Sequence, residues 1–249
     1  MAGIFYPERK ESLKELLEHL VPPVEKKQRA IAAIIPHGSL FSSGAVAAAV
    51  YGILQPFDTA VILGPNHSRL GERLCLAADG EWSTPMGSLP VDRQLARALL
   101  KAVPELTKDS KAHQNEHAAE VQLPFLQHLW RMRGFVPLCM AGMDAVAARQ
   151  VGLGVAQALR RSGREVFLIA SSNLACHRPV ELAKRLDRQL IDRIAALDGP
   201  GLMNQVAESG GSMCGAPAVA AVIAAAKELG GSRASLVKYE VGYAGVIIQ

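Results

Sequence analysis

Two patterns of apolar residues divide this chain into helices and strands. Residues 8–20 carry leucines at positions 13, 16, 17 and 20 with charged residues between them, which is the spacing of one buried helix face. Residues 60–63 are four consecutive apolar residues followed by Gly64-Pro65-Asn66, which is typical of a strand covered on both faces and stopped by a turn. Because the two patterns alternate along the chain, the sequence predicts an α/β fold.

The predicted elements extend over the whole chain. Strands are expected near 30–35, 59–63, 73–78, 135–140, 165–170, 235–239 and 243–248. Helices are expected at about 8–20, 43–54, 91–103, 144–161, 179–196, 200–208 and 216–229, with another that begins at Asn115 and is kinked or restarted at Pro124. Residues 81–87 are expected to form a loop. We predict a single domain, residues 1–249, with a central mostly parallel or mixed sheet and helices on both faces.

Composition and charge narrow the classes of protein. Apolar residues make up 49% of the chain and charged residues 20%, which fits a well-packed core and excludes a disordered chain. The net charge is only +4 and the basic residues are spread over the predicted helices, so no nucleic-acid partner is indicated. The longest apolar runs, near 44–54 and 216–226, are too short to span a bilayer, and residues 1–11 lack the order of a signal peptide. We expect a soluble cytoplasmic protein with no membrane partner.

Two histidines follow predicted strands of separate βα units. His67 comes after the strand and turn at 59–66, and His37 follows the β-branched apolar run of IAAIIPHGSLFSSG at 31–44. A single histidine near a strand end is more often a hydrogen-bonded structural residue. Loops at the carboxyl edge of an α/β sheet converge, however, and imidazole is the commonest metal ligand, so the pair makes a metal site an equally good interpretation.

The cysteines supply the candidate for a third ligand. Cys75, Cys139, Cys176 and Cys214 lie far apart and form no CxxC pair, so neither a zinc ribbon nor a disulfide framework is indicated. Cys214 follows a glycine-rich turn and precedes a predicted helix, where the helix dipole favours the thiolate that binds metals. A buried, inert cysteine is the alternative.

Other polar groups are weaker candidates. His113 and His117 are four residues apart, and Glu116, His117 and Glu120 fall in the first turn of the helix predicted after Asn115, where acidic groups also simply complement the helix dipole.

Asn173 and the pair Cys176-His177 lie just past the strand at 165–170, on the edge that carries the two histidines. One of them is a candidate acid/base group beside a metal, and an Asx-type turn with a surface histidine is the alternative. No P-loop, GxGxxG or GxSxG pattern is present, which excludes the usual nucleotide-binding and α/β-hydrolase motifs.

Short segments along nearly the whole chain resemble one family. They are AGIFYP at 2–7, IIPHGSLFSSG at 34–44, VILGPNHS at 61–68, WSTPMGSLPVD at 82–92, EHAAEVQLPFLQ at 116–127, SSN at 171–173, MCG at 213–215 and VGYA at 241–244. The chain resembles the Memo-like family, found in bacteria and archaea as AmmeMemoRadiSam system protein B and similar in fold to class III, LigB-type extradiol dioxygenases. The resemblance implies a pocket built from two histidines and a cysteine, which fall on His37, His67 and Cys214.

The chain departs from the family pattern in two loops. Leu40 and Ser42 stand where family members usually have tyrosines, and Asn173 replaces an aspartate. The family histidine that follows this aspartate aligns with Cys176 without a gap, and with His177 after a one-residue insertion. We expect His177 to face the pocket, because a loop absorbs an insertion more easily than a site loses its base.

Three functions remain open at this point. The first is a dioxygenase-like oxidoreductase with a divalent metal, most simply Fe(II), with Zn and Cu as other candidates, and with His177, Asn173 and His117 as catalytic groups. We expect it to show little or no extradiol cleavage. The second is a non-catalytic protein that binds a peptide or small-molecule metabolite on a dioxygenase-like scaffold. The third is a zinc hydrolase. The resemblance also implies radical-SAM and AMMECR-type partner proteins.

Overall fold

A large central sheet organises the fold of the chain. The computed structural model describes residues 1–130 and 132–249, and within them eight strands form one sheet in the order β6-β3-β7-β2-β8-β1-β10-β9. These strands are β1 (Ala32–Ile35), β2 (Thr59–Gly64), β3 (Leu74–Leu76), β6 (Thr107–Lys108), β7 (Gly134–Met140), β8 (Phe167–Ser171), β9 (Ala234–Glu240) and β10 (Tyr243–Ile248). Two further strands, β4 (Glu81–Thr84) and β5 (Gly87–Pro90), form a separate antiparallel hairpin.

The four central strands β7, β2, β8 and β1 are parallel. Val61 of β2 lies opposite Val136 on one side and Leu168 on the other, and Ile35 of β1 lies opposite Ser171 of β8. The outer strands β3, β10 and β9 run antiparallel to their inner neighbours. Because the central strands are parallel, their carboxyl ends and the loops that follow them meet at one edge of the sheet.

Helices cover both faces of the sheet. They are α1 (Lys10–Leu20), α2 (Gly44–Ile53), α3 (Arg93–Ala102), α4 (Leu123–Leu129), α5 (Ala145–Ser162), α6 (Val180–Ala195), α7 (Gly199–Glu208) and α8 (Ala216–Glu228). The alternation of side chains along β2 shows the two layers, because Val61 and Leu63 pack with α3 and α5 to α8, whereas Ala60 and Ile62 pack with α1, α2 and α4. The predicted α/β class, with a mostly parallel sheet between helical layers, is confirmed.

The expected loop at 81–87 is instead the β4–β5 hairpin. Its inward residues are Trp82, which is partly buried, and Leu89, which is buried against the layer of α1, α2 and α4. Gly87 has a φ of +124° and closes the turn in a conformation that favours glycine. The hairpin has only these two large apolar residues facing inward, so its strands show too little alternation to be predicted. The turn residues between them indicate a loop instead.

The helix predicted to begin at Asn115 is absent from the described residues 115–119, whereas the alternative of a helix that begins at Pro124 agrees with α4. Residues 118–119 form a turn, Glu120–Gln122 is a 3-10 helix, and α4 begins at Leu123 with Pro124 in its first turn. The Glu116 carboxylate accepts a hydrogen bond from the backbone N–H of Ala118, which offers the backbone an alternative to helical hydrogen bonds.

Within residues 1–130 and 132–249, no helix combines the length and the apolar character needed to cross a membrane.

Candidate metal centre

The carboxyl edge of the sheet brings together three residues that are remote in sequence. His37 follows β1 after Pro36 and is fully buried, and His67 follows β2 after a turn, with its side chain 36% exposed. Cys214 immediately precedes Gly215, the residue that caps the N-terminus of α8. Because β1 and β2 both flank β8, the loops that carry these residues are neighbours.

The side chains of these residues approach within ligand distance. The Sγ atom of Cys214 lies 3.3 Å from Nε2 of His37. The ring centroids of His37 and His67 are 5.2 Å apart and their planes are nearly perpendicular, at 79°. Burial opposes ionisation of Cys214, but the adjacent imidazoles of His37 and His67 and the backbone N–H of Asn173 outweigh it and hold the pKa of the thiol well below its usual value.

His117 adds a third imidazole to the cluster. One nitrogen atom from each of His37, His67 and His117 lies within 4.8 Å of the other two. The His117 ring stacks on His67, with centroids 4.8 Å apart and an interplanar angle of 12°, and on Phe5 at 4.2 Å. Burial, together with electrostatic repulsion from the neighbouring imidazole of His37, lowers the pKa of His117 to about 4.

Parallel stacking limits how His67 and His117 can bind an ion. The lone pair of an imidazole nitrogen lies in the plane of its ring, so two nearly parallel rings do not direct lone pairs at one point. Nε2 of His37 also contacts Sγ of Cys214, so the set of His37, His67 and Cys214 is a second candidate ligand set beside the three imidazoles.

Glu116, which is only a weaker candidate in the sequence analysis, orients His67. Its carboxylate is almost fully buried, with Oε1 2.9 Å from Nδ1 of His67 and Oε2 accepting the backbone N–H of His67. Burial alone would raise the pKa of Glu116, but the hydrogen bonds from His67 and from the backbone N–H of Ala118 lower it to about 2. The same pairing, with a hydrogen bond to Cys214, outweighs burial and raises the pKa of His67 to about 10. A carboxylate on Nδ1 leaves Nε2 of His67 as the ligand atom.

Asn173 joins the two loops that supply His37 and Cys214. Its side-chain Oδ1 accepts the backbone N–H of His37 at 2.9 Å, and its own backbone N–H donates to Sγ of Cys214 at 3.3 Å. The asparagine predicted as a catalytic group is thus placed to position two candidate ligands through hydrogen bonds.

The expectation that His177 faces the pocket is wrong. The His177 side chain is exposed, whereas Cys176 is half-buried. The preceding loop is held by the buried Asp187 of α6, whose carboxylate accepts the backbone N–H groups of Ala175 and Gly242. Ala175 is therefore held in the interior, whereas His177 two residues later lies at the surface.

Three other residues of the sequence analysis have neighbours outside the cluster. His113 is buried against Cys139, with Nδ1 3.5 Å from Sγ, and burial lowers its pKa to about 4. In the loop after His37, Leu40 is buried and the hydroxyl of Ser42 donates to the carbonyl of Ser39 at 3.0 Å. Neither Leu40 nor Ser42 offers an acid/base group to the site.

The donors present suit a transition metal. Two imidazoles and a thiolate, with the second nitrogen of each imidazole held by another side chain, match sites that bind zinc, copper or iron and leave coordination positions open. The fold and the site together define an α/β protein with a candidate metal centre at the carboxyl edge of its sheet.

Comparison with known proteins gives the family. The Memo-like protein family matches residues 1–245, and the chain belongs to this family. A MEMO1 family protein of Methanosarcina barkeri is 35% identical over 263 aligned positions, which cover 100% of this chain and 98% of the relative. A MEMO1 family protein of Methanopyrus kandleri is 36% identical over 275 positions, covering 100% and 97%.

A solved structure shares the fold. It is that of the uncharacterized protein JW3007 from Escherichia coli K12, which superposes with a TM-score of 0.65 at 18% sequence identity and covers 88% of this chain and 99% of its own. At this identity the likeness concerns the fold alone.

Proposed function

We propose that the protein binds one divalent transition metal through His37, His67 and Cys214 and uses the open side of this centre to take a small molecule or a peptide. The observation that carries the proposal is the 3.3 Å contact between Sγ of Cys214 and Nε2 of His37, next to a His67 ring that Glu116 orients. Fe(II) is the metal of the proposal, and Zn and Cu are its competitors for the same donors.

A dioxygenase-like oxidoreductase is the enzymatic form of this proposal. Fe(II) with open positions would supply the chemistry that brings O₂ and an electron-rich substrate together. The chain would supply His117, which is mostly buried, holds no short hydrogen bond to Glu116, and stacks on Phe5, as the acid/base group beside the substrate. Asn173 would act as a positioning residue.

A non-catalytic binding protein is the second candidate, and the loop after His37 favours it. Leu40 is buried and the Ser42 hydroxyl is bonded within its own turn, so this loop presents no proton donor to a bound molecule. Under this alternative the metal and the Phe5 ring hold a metabolite or peptide that leaves unchanged.

Metal analysis of untagged protein purified without oxygen tests the proposal. We expect about one equivalent of metal per chain, and we expect His37→Ala and Cys214→Ala each to lose it. The matched control is His177→Ala, because this histidine is exposed and should leave the stoichiometry unchanged. Retention of the metal by His37→Ala, or its loss from the control, would refute the site.

Oxygen uptake then separates the two candidates. The iron-loaded protein is mixed with a panel of catechol-like substrates in an oxygen electrode. Uptake that His67→Ala and His117→Ala both abolish supports the oxidoreductase. Tight metal binding without uptake across the panel supports the binding protein, and isothermal titration with the same panel measures that binding directly.

A further inference from the structure

A chain of buried hydrogen bonds ends on the nitrogen of His37 that points away from the cluster. Tyr51 donates its hydroxyl to Oε1 of Gln122 at 2.9 Å, and Nε2 of Gln122 lies 2.9 Å from Oγ of Ser171. Oγ of Ser171 in turn lies 3.1 Å from Nδ1 of His37. These four residues are at most 1% exposed, so their hydrogen bonds have no competition from solvent.

The orientation of Gln122 follows from a neighbour that can only accept. Nε2 of Gln122 lies 3.0 Å from the carbonyl oxygen of Pro36, so the amide NH₂ must face that side and donate to it. Its second hydrogen is then directed at Ser171. Burial raises the pKa of Tyr51 well above its usual value, so this phenol stays protonated and donates to the remaining amide oxygen.

The direction of the hydrogen bond from His37 follows from Ser171. The serine hydroxyl accepts from Gln122 and has one proton to give, and the carbonyl oxygen of Ala118 lies 2.7 Å away. This carbonyl can only accept, so the proton of Ser171 goes to it. Ser171 can therefore only accept a hydrogen bond from His37. This requires that Nδ1 of His37 carries a hydrogen.

We propose that Ser171, oriented by Gln122, is a positioning residue that fixes His37 as the Nδ1–H tautomer. Nε2 of this tautomer carries a free lone pair and lies 3.3 Å from Sγ of Cys214, so it accepts the thiol hydrogen in the metal-free protein and is free to bind an ion that displaces this hydrogen. The inference rests on the proposed metal site and gives its two histidines different partners on Nδ1. Nδ1 of His67 contacts an anionic carboxylate, whereas Nδ1 of His37 contacts a neutral hydroxyl. Both rings therefore direct Nε2 towards the proposed metal, but only His67 has a charged partner.

The tautomer can be measured without any metal. In protein labelled with ¹⁵N in its histidine rings, long-range ¹H–¹⁵N correlation spectra distinguish a protonated from a bare ring nitrogen. At a pH at which the His37 ring is neutral, we expect a protonated Nδ1 and a bare Nε2. In Ser171→Ala the acceptor is gone, and we expect both tautomers to be populated. Ser171→Thr keeps the hydroxyl and should restore the single tautomer.

Metal affinity provides the second readout. Loss of a side chain that orients a ligating histidine lowers metal affinity about 10- to 100-fold, and we expect that loss in Ser171→Ala, measured with Zn²⁺ against a chromophoric chelator. Gln122→Met should also populate both tautomers, because Ser171 loses the donor that holds it. The matched control is Ser43→Ala, a buried serine whose hydroxyl bonds only to the carbonyl of Ser39.

The outcomes separate this inference from the proposed function. A wild-type His37 with its proton on Nε2, or a Ser171→Ala variant with an unchanged single tautomer, would overturn the inference whether or not metal binds. A wild type that has the expected tautomer but binds no metal would uphold the inference and refute the metal site. Where Ser171→Ala fails to fold, the spectrum of the wild type still decides the tautomer.

Discussion

Replacement of Glu116 by glutamine tests how far this buried carboxylate holds the site together. Both of its oxygens accept from backbone N–H groups, Oε2 from His67 and Oε1 from Ala118, and Oε1 also faces Nδ1 of His67 at 2.9 Å. Glutamine has the same shape but turns one of these acceptors into a donor. In either orientation, the amide NH₂ of Glu116→Gln meets a backbone N–H and leaves it unpaired.

The structure sets the size of the effect. An unpaired buried donor costs about 1–3 kcal/mol, so we expect the free energy of unfolding of metal-free Glu116→Gln to fall by that amount. When the NH₂ takes the place of Oε1, it donates to Nδ1 of His67 and moves the ring proton to Nε2. Because Nε2 is the proposed ligand atom, we expect the metal affinity to fall about 10- to 100-fold, or about 1.4–2.7 kcal/mol.

The pH dependence gives an internal check on this substitution. The pKa of Glu116 is lowered from 4.5 to about 2 in the folded protein, so its carboxylate stabilises the fold above pH 4.5 and loses this contribution as the pH falls from 4.5 towards 2. The stability difference between the wild type and Glu116→Gln should therefore shrink over that range.

Urea unfolding followed by circular dichroism, and chelator competition for Zn²⁺, measure the two effects. Glu105→Gln is the control, because this glutamate is exposed and the same change of charge should leave both quantities within error. A Glu116→Gln variant with the stability and metal affinity of the wild type would refute the role of Glu116.

Three further predictions concern the scaffold. A Cβ atom at Gly152 in α5 would overlap the carbonyl oxygen of Ala221 in α8, so Gly152→Ala should destabilise the protein by about 1–3 kcal/mol in urea unfolding. Gly52→Ala, whose Cβ would make only ordinary contacts at 3.4 Å, should be neutral or up to about 1 kcal/mol stabilising, and equal effects at the two sites would contradict the packing argument. Both oxygens of Asp187 accept from N–H groups, so Asp187→Asn should cost about 1–3 kcal/mol, whereas an unchanged urea midpoint would contradict that assignment. Burial lowers the pKa of His113 from 6.5 to about 4, so the neutral ring stabilises the fold above pH 6.5 and this contribution falls as the pH drops towards 4. Between about pH 7 and pH 5 the wild type should lose about 1–2 kcal/mol more than His113→Gln, and parallel pH profiles would show that the ring is solvated.

Short-range patterns were enough to predict the sheet and the residues that follow its central strands. The buried run of β2 ends at Gly64-Pro65, and both signals are contained within a few residues, so the position of His67 could be predicted. The same holds for His37 after β1. Family resemblance and the position of Cys214 before α8 both indicated this cysteine as the third candidate ligand beside His37 and His67.

The surroundings of Glu116 and His177 depend on contacts between residues far apart in the sequence, which local patterns do not indicate. Glu116 was only a weak candidate, with a charge at a helix start as the alternative, because its contact with His67 joins positions 49 residues apart. The burial of Ala175, two residues before His177, involves Asp187, which lies on the following helix. No local pattern indicates either partner, since both pairings exist only after the sheet has formed.

The dispersal of the candidate site along the chain would also make binding of the proposed metal a measure of global folding. His37, His67, Glu116, Ser171 and Cys214 come from five segments that only the completed sheet brings together. An unfolded chain therefore has no preformed site, and an ion that binds only the native state shifts the folding equilibrium by mass action. At a free metal concentration of about 100 times Kd, this linkage adds about 2.7 kcal/mol to the stability of the whole domain. Chelation should accordingly lower the unfolding temperature of the entire domain in one cooperative step.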